Sequence, residues 1–229
     1  MHKSTIIILF SFITTLGVIA IYSVKVHEIV CISQFYACNE SIRNDIDSVS
    51  KDSMIKTRGA LIGLLRNEAI VKNFSFQYQL DGKLILHVNE REPKYCITNK
   101  VNSYYADELG VVIEIVNGME VNCIQNINTT YKMKDSLNNN DLLSAQIFYK
   151  IRRLSTVESG LIEEKNFVIE YKDRIKLIFP LEGQPDVLIG KAYYTISQFG
   201  KINQYITENG FGGITEVDFR YNNPIIRYL

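Results

Sequence analysis

Apolar residues follow three patterns along this chain. Residues 4–24 form a run without one charged side chain. At roughly 1.5 Å per residue, a helix of that length spans a hydrocarbon core of roughly 30 Å. The run predicts a transmembrane signal anchor behind a short cytoplasmic tail, residues 1–3, and no small-residue cleavage pattern follows Ala20. Further on, the period changes to two. Leu84, Leu86 and Val88 alternate with Ile85, His87 and Asn89, as in a strand with one dry side. Asp81-Gly82 is a hairpin turn that pairs this strand with residues 74–78, and residues 28–33 form a further short strand. Between these strands the period is helical. Ile42, Ile46 and Val49 follow a cap at Asn39 or Ser41, and Leu61, Leu64 and Leu65 share a face within 58–67. Strand, helix, helix, strand, strand describes a small α+β module, and Pro93 marks its exit.

The second half is mostly strand. A turn from Asp107 to Gly110 leads into strand 111–116, and the polar stretch 122–140 reads as loop with little structure. Asn140 or Asp141 caps a helix carrying Leu143, Ile147, Ile151 and Leu154. Residues 167–171 and 174–179 form a hairpin about Lys172-Asp173, and 187–190 is a short buried run. A last helix over 191–209 presents Ile196, Phe199, Ile202 and Ile206 and stops at Asn209-Gly210. Strands 214–221 and 225–229 follow. The expected fold class is α+β: the transmembrane helix, a β-α-α-β-β module over 25–94, and a mainly antiparallel β domain with two helices over 95–229.

Composition narrows function mainly by exclusion. The 229 residues carry 25 basic and 25 acidic side chains, so the chain lacks the basic footprint that nucleic acid demands. No glycine-rich phosphate loop, GxSxG, HExxH, or nucleophile with a nearby His is present. The reading is therefore a non-enzyme with no cofactor, no metal and no small-molecule substrate. Glu90, Arg91 and Glu92 read as a solvated edge at a strand exit or an interdomain ion pair, and Asp218 and Arg220 as a local ion pair. Four cysteines allow three connectivities, and Cys31 and Cys38 lie close enough to bridge a strand end to a helix start. Such a bridge fits a location outside the cytoplasm.

Three motifs in order carry a resemblance. Leu84, Leu86, Val88, Glu90, Arg91 and Pro93 form the first. The second runs from Tyr104 to Val112 around Asp107 and Gly110, and the third is ITEVDFRY over 214–221. Together they resemble the bacterial cell-division family FtsQ, called DivIB in other lineages, whose first extracytoplasmic module is a POTRA domain. Cys31 and Cys38 stand outside that family's general pattern. The resemblance implies a single-pass plasma-membrane protein at the division septum, a scaffold linking early and late division proteins by protein–protein contacts. Its implied partners are FtsB-like and FtsL-like membrane division proteins. It also implies that 187–190 leads into the last helix. The alternative is a POTRA-type chaperone or transport module of the cell envelope.

The expected interaction surface is the C-terminal edge. A strand over 225–229 with nothing after it to cover its outer N–H and C=O groups is a template for another chain. Phe219, Arg220, Tyr221, Ile225, Ile226, Arg227 and Tyr228 are its candidate partner-binding residues.

Overall fold

The computed structural model describes residues 25–79, 81–120, 122–154 and 157–229. The chain divides between Arg91 and Glu92, ahead of the step from Lys94 to Tyr95 expected from the sequence. The expected transmembrane helix over 4–24 lies outside the described residues. Among the described residues no helix is long and apolar enough to cross a membrane. The fold class is corrected accordingly: it is α+β on the described elements, without a spanning helix.

The first unit runs β1 (Glu28–Ser33), α1 (Glu40–Asp47), α2 (Met54–Asn67), β2 (Val71–Tyr78) and β3 (Lys83–Glu90). Its sheet has the order β1-β3-β2, with β1 parallel and β2 antiparallel to the central strand. Period-two patterning places Leu84, Leu86 and Val88 inside, against Ile42 and Ile46 of α1 and Leu61 and Leu65 of α2. Asn39 caps α1 by accepting from the Ser41 N–H at 2.9 Å. Gly82 has φ +87°, and a Cβ there would lie 2.6 Å from His27 Cδ2, so this turn requires glycine twice over.

The second unit opens with β4 (Tyr95–Thr98), β5 (Asn102–Ala106), β6 (Val112–Asn117) and β7 (Ile124–Gln125). Helix α3 (Asn139–Leu154) follows, then β8 (Val157–Ile162), β9 (Asn166–Tyr171) and β10 (Ile175–Pro180). Helices α4 (Pro185–Ser197) and α5 (Phe199–Glu208) precede β11 (Ile214–Asp218) and β12 (Ile225–Tyr228). One nine-stranded sheet has the order β12-β11-β10-β9-β8-β7-β4-β5-β6. Its pairings are antiparallel except β10 with β11, β7 with β8 and β4 with β7. Alternate residues of β9, β10 and β11, namely Phe167, Ile169, Leu177, Phe179 and Val217, join Ala145, Phe148 and Ile151 of α3 in one core.

Among the described residues three α-helices stand here where two helices were expected. The stripe read as one helix over 191–209 is broken at Gln198, whose N–H donates to Thr195 O at 3.0 Å while its carbonyl accepts from Ile202 N at 2.9 Å. Leu188, Ile189 and Ala192 from the helix before the break and Phe199 and Ile206 from the helix after it all reach the core. The run 187–190 lies inside α4, and its Val187 is exposed. The stretch 122–140, read as a loop with little structure, holds β7 and is organised by side chains. Asp141, fully buried, accepts from Asn126 Nδ2 at 2.6 Å, Thr129 Oγ1 at 3.0 Å, Asn138 Nδ2 at 3.1 Å and the Tyr131 hydroxyl. The α3 cap is Asn138, whose Oδ1 accepts from Asp141 N at 2.8 Å, rather than Asn140 or Asp141.

Candidate functional site

β12 is the outermost strand at one end of the nine-stranded sheet, and β11 is its neighbour. The direction of its backbone groups follows from the last residue. Leu229 N–H donates to Gly213 O at 3.3 Å, and its carbonyl accepts from Gly212 N at 2.6 Å, so both groups turn inward. The Arg227 carbonyl also turns inward, accepting from Thr215 Oγ1 at 3.2 Å. Alternation along a strand then turns the N–H and C=O of Ile226 and Tyr228 outward. These two residues form the open hydrogen-bonding row.

Side chains sort by the same alternation. Ile226 lies opposite Val217 on the core face and packs against the core. Tyr228, on that face too, stands beside Phe211, with ring centroids 5.0 Å apart and both rings half exposed. Ile225 and Arg227 occupy the other face. Arg227 pairs with Glu216 directly across the ladder, and Ile225 is 41% exposed.

The turn before β12 is set by Asp218. Its Oδ1 accepts from its own Arg220 N–H at 3.1 Å, which ends β11 there rather than at the expected residue 221. Arg220 also grips the carboxylate with Nε at 2.8 Å and Nη2 at 2.6 Å, the local ion pair expected from the sequence. The guanidinium beside Asp218 holds that carboxyl below the usual range, and the same bonds raise Arg220. Tyr221 is exposed.

Phe219 does not belong to this surface. It is 1% exposed and stacks on Phe179 at 4.8 Å and 10°, because the turn after Asp218 directs its ring into the core. Sequence reasoning missed Phe211 and Gly212. A Cβ on Gly212 would lie 2.6 Å from Leu229 Cβ, so glycine is what allows the 210–213 segment to zip onto the end of β12. The three glycines flanking Phe211 were the available clue.

In the other charged cluster Glu90 is structural. Glu90 is buried, which removes the solvated edge from the two readings expected for it: its Oε1 accepts from Asn39 N at 2.8 Å, while its backbone N–H and C=O bond the Gln34 carboxamide at 2.9 and 2.8 Å. The side chain of Gln34 thereby continues the β1 ladder beyond the strand. Cys31 and Cys38 form a disulfide, and Cys96 pairs with Cys123, a bridge the sequence left open. Among the described residues no group of His, Cys, Asp and Glu is arranged to hold a metal ion. No family model matches the chain, and no curated protein matches it.

Proposed function

We propose that the chain is a recruitment scaffold of the FtsQ type at the division septum, acting through its C-terminal edge on an FtsB-like partner and, with it, an FtsL-like one. The observation that carries this reading is the outward row of Ile226 and Tyr228 on a terminal strand of a nine-stranded sheet. A partner strand adds there by main-chain hydrogen bonds, and alternate side chains provide selectivity. Arg220, Tyr221, Ile225 and Arg227 flank the row, and the Phe211–Tyr228 pair offers an apolar step beside it. Two disulfides and no free cysteine among the described residues fit an oxidising, extracytoplasmic location.

Ile226→Pro removes one outward donor, and Tyr228→Ala removes half of the aromatic pair. Both variants are expected to keep the wild-type circular dichroism spectrum and lose capture of the FtsB-like partner, and a tagged chain is expected at midcell. Retained capture by both variants overturns the edge, and uniform envelope staining overturns the septal assignment.

A further inference from the structure

Among the described residues three of the four strands that end the two sheets are blunted or engaged, and β1 is not. In β2 the register shifts between Val71 and Asn73, with Lys72 at the shift. In β6 the register also shifts, and the outer groups of Val112 are taken by Asp135 O and Lys134 N, each at 2.8 Å. Bulges, lysines and covering loops are the usual protections of an edge. β12 carries the surface described above. β1 instead pairs with β3 over six consecutive residues without a shift, and Ile29, Val30, Cys31, Ile32 and Ser33 include no charge, proline or glycine.

The open groups of β1 can be assigned. His27 N–H donates inward to Gly82 O at 2.9 Å, while Val26 N–H, one residue earlier, donates to Asp52 O at 2.9 Å on the opposite side. His27 precedes the ladder, and in β3 Glu90 turns both its N–H and C=O to Gln34, which sets the parity by which the backbone groups of Leu84, Leu86 and Val88 face β1. The parallel register of Ile29 with Leu84 and Cys31 with Leu86 then turns the backbone groups of Val30 toward β3 and those of Ile29 and Cys31 away from it. The segment holding Asp52 closes this row at one end. At the other, the Cys31–Cys38 disulfide and the Gln34–Glu90 clamp lead the chain off the edge.

We propose that β1 is a self-association edge, where two copies of this chain pair their β1 strands antiparallel about a twofold axis through Val30. In that register Val30 meets Val30 and Glu28 meets Ile32, and the outward groups of Ile29 in each copy bond those of Cys31 in the other. Ile29 lies opposite Cys31, and the two sheets become one with their helices on the same side. The only charge, Glu28, faces Ile32 and is held by Lys83 Nζ at 3.1 Å. The occupant is a second copy because a short uncharged, β-branched window is the kind that pairs with itself. β12 excludes the same solution: pairing its outward residues Ile226 and Tyr228 across a twofold axis sets Arg227 against Arg227. A strand this short buries less than the roughly 800 Å² per partner of a standard interface, so the dimer is weak and concentration-dependent.

The test uses the full chain with a benzophenone side chain at position 30. Irradiation is expected to give a covalent dimer whose linked peptides both come from residues 28–33. In sedimentation equilibrium, Val30→Lys is expected to weaken self-association by about tenfold or more, since two like charges then lie opposite one another, while Val30→Thr retains it. Ile226→Pro is expected to leave the dimer intact, which separates this surface from the C-terminal edge. Cross-links outside 28–33, cross-links to a different protein, or only monomer after irradiation would overturn the proposal. If Val30→Lys loses its folded circular dichroism, the cross-link map alone decides.

Discussion

The hydroxyl of Tyr131 donates to the carboxylate of Asp141, a side chain with no solvent exposure. With Asn126, Thr129 and Asn138 it supplies four side-chain donors to one buried anion, and together they fold the segment between β7 and α3. Asp141→Ala leaves those donors without their acceptor and is expected to cost about 3 kcal/mol. Tyr131→Phe, which removes one donor, is expected to cost about 1 kcal/mol. Denaturant midpoints at neutral pH measure both, and an unshifted midpoint for Asp141→Ala refutes the role of the hub.

Burial first, and then the bond to Asp141, push the Tyr131 hydroxyl up to about 12 from its ordinary 10. A group whose folded pKa is raised contributes stability that is fully present below its unfolded pKa and is lost as pH rises through the folded one. The contribution of Tyr131 is therefore intact below about pH 10 and disappears between about 10 and 12. Thermal melts across that window are expected to fall more steeply for wild type than for Tyr131→Phe. Parallel curves refute the assignment.

Arg220 and Asp218 act in the opposite pH range. Asp218 is fully buried as a residue while the Arg220 side chain is 37% exposed, and their bonds hold the carboxyl below its ordinary 3.8. A depressed folded pKa contributes stability above the unfolded value that is lost as pH falls through the folded one. Arg220→Gln is expected to cost about 1–3 kcal/mol at neutral pH, less than breaking a fully buried pair because the arginine is partly solvated. The gap between Arg220→Gln and wild type is expected to close as pH falls below about 4, where Asp218 protonates in the unfolded chain first. Denaturation at pH 7 and pH 3 checks this, and a gap that stays constant refutes the pairing.

Gly160 in β8 lies under the ring of Phe148. A Cβ there would stand 2.8 Å from Phe148 Cδ2 and 3.2 Å from Phe167 Cε2. Gly160→Ala is expected to cost about 1–3 kcal/mol by overpacking. Phe148→Leu in the same chain is expected to recover part of that loss, and additive losses in the double variant refute the contact.

The first unit was legible because its cues are local. Period two over 84–88, the Asp81-Gly82 turn and the Asn39 cap each act within a few residues, and the strand expected over 28–33 is found with those bounds. The edge position of Ile226 and Tyr228 was legible in outline from the final apolar run. The burial of Phe219 was not, because a strand pattern continued through 221 gives no warning that Asp218 turns the chain by bonding the Arg220 N–H.

The amino-acid order by itself determined the elements whose hydrophobic period has one reading: the strand-helix-helix-strand-strand order, helix α3, and the hairpins at Asp107 to Gly110 and at 172–174. Only the tertiary structure decided the break at Gln198, the pairing of Cys96 with Cys123, the gathering of Asn126, Thr129, Tyr131 and Asn138 around Asp141, and the outward direction of single N–H groups at the sheet edges. Periodicity reports which face of an element is apolar, but not what meets that face. Those four features depend on partners distant in sequence or on the parity of a ladder, and both are set only when the strands have taken their order in the sheet.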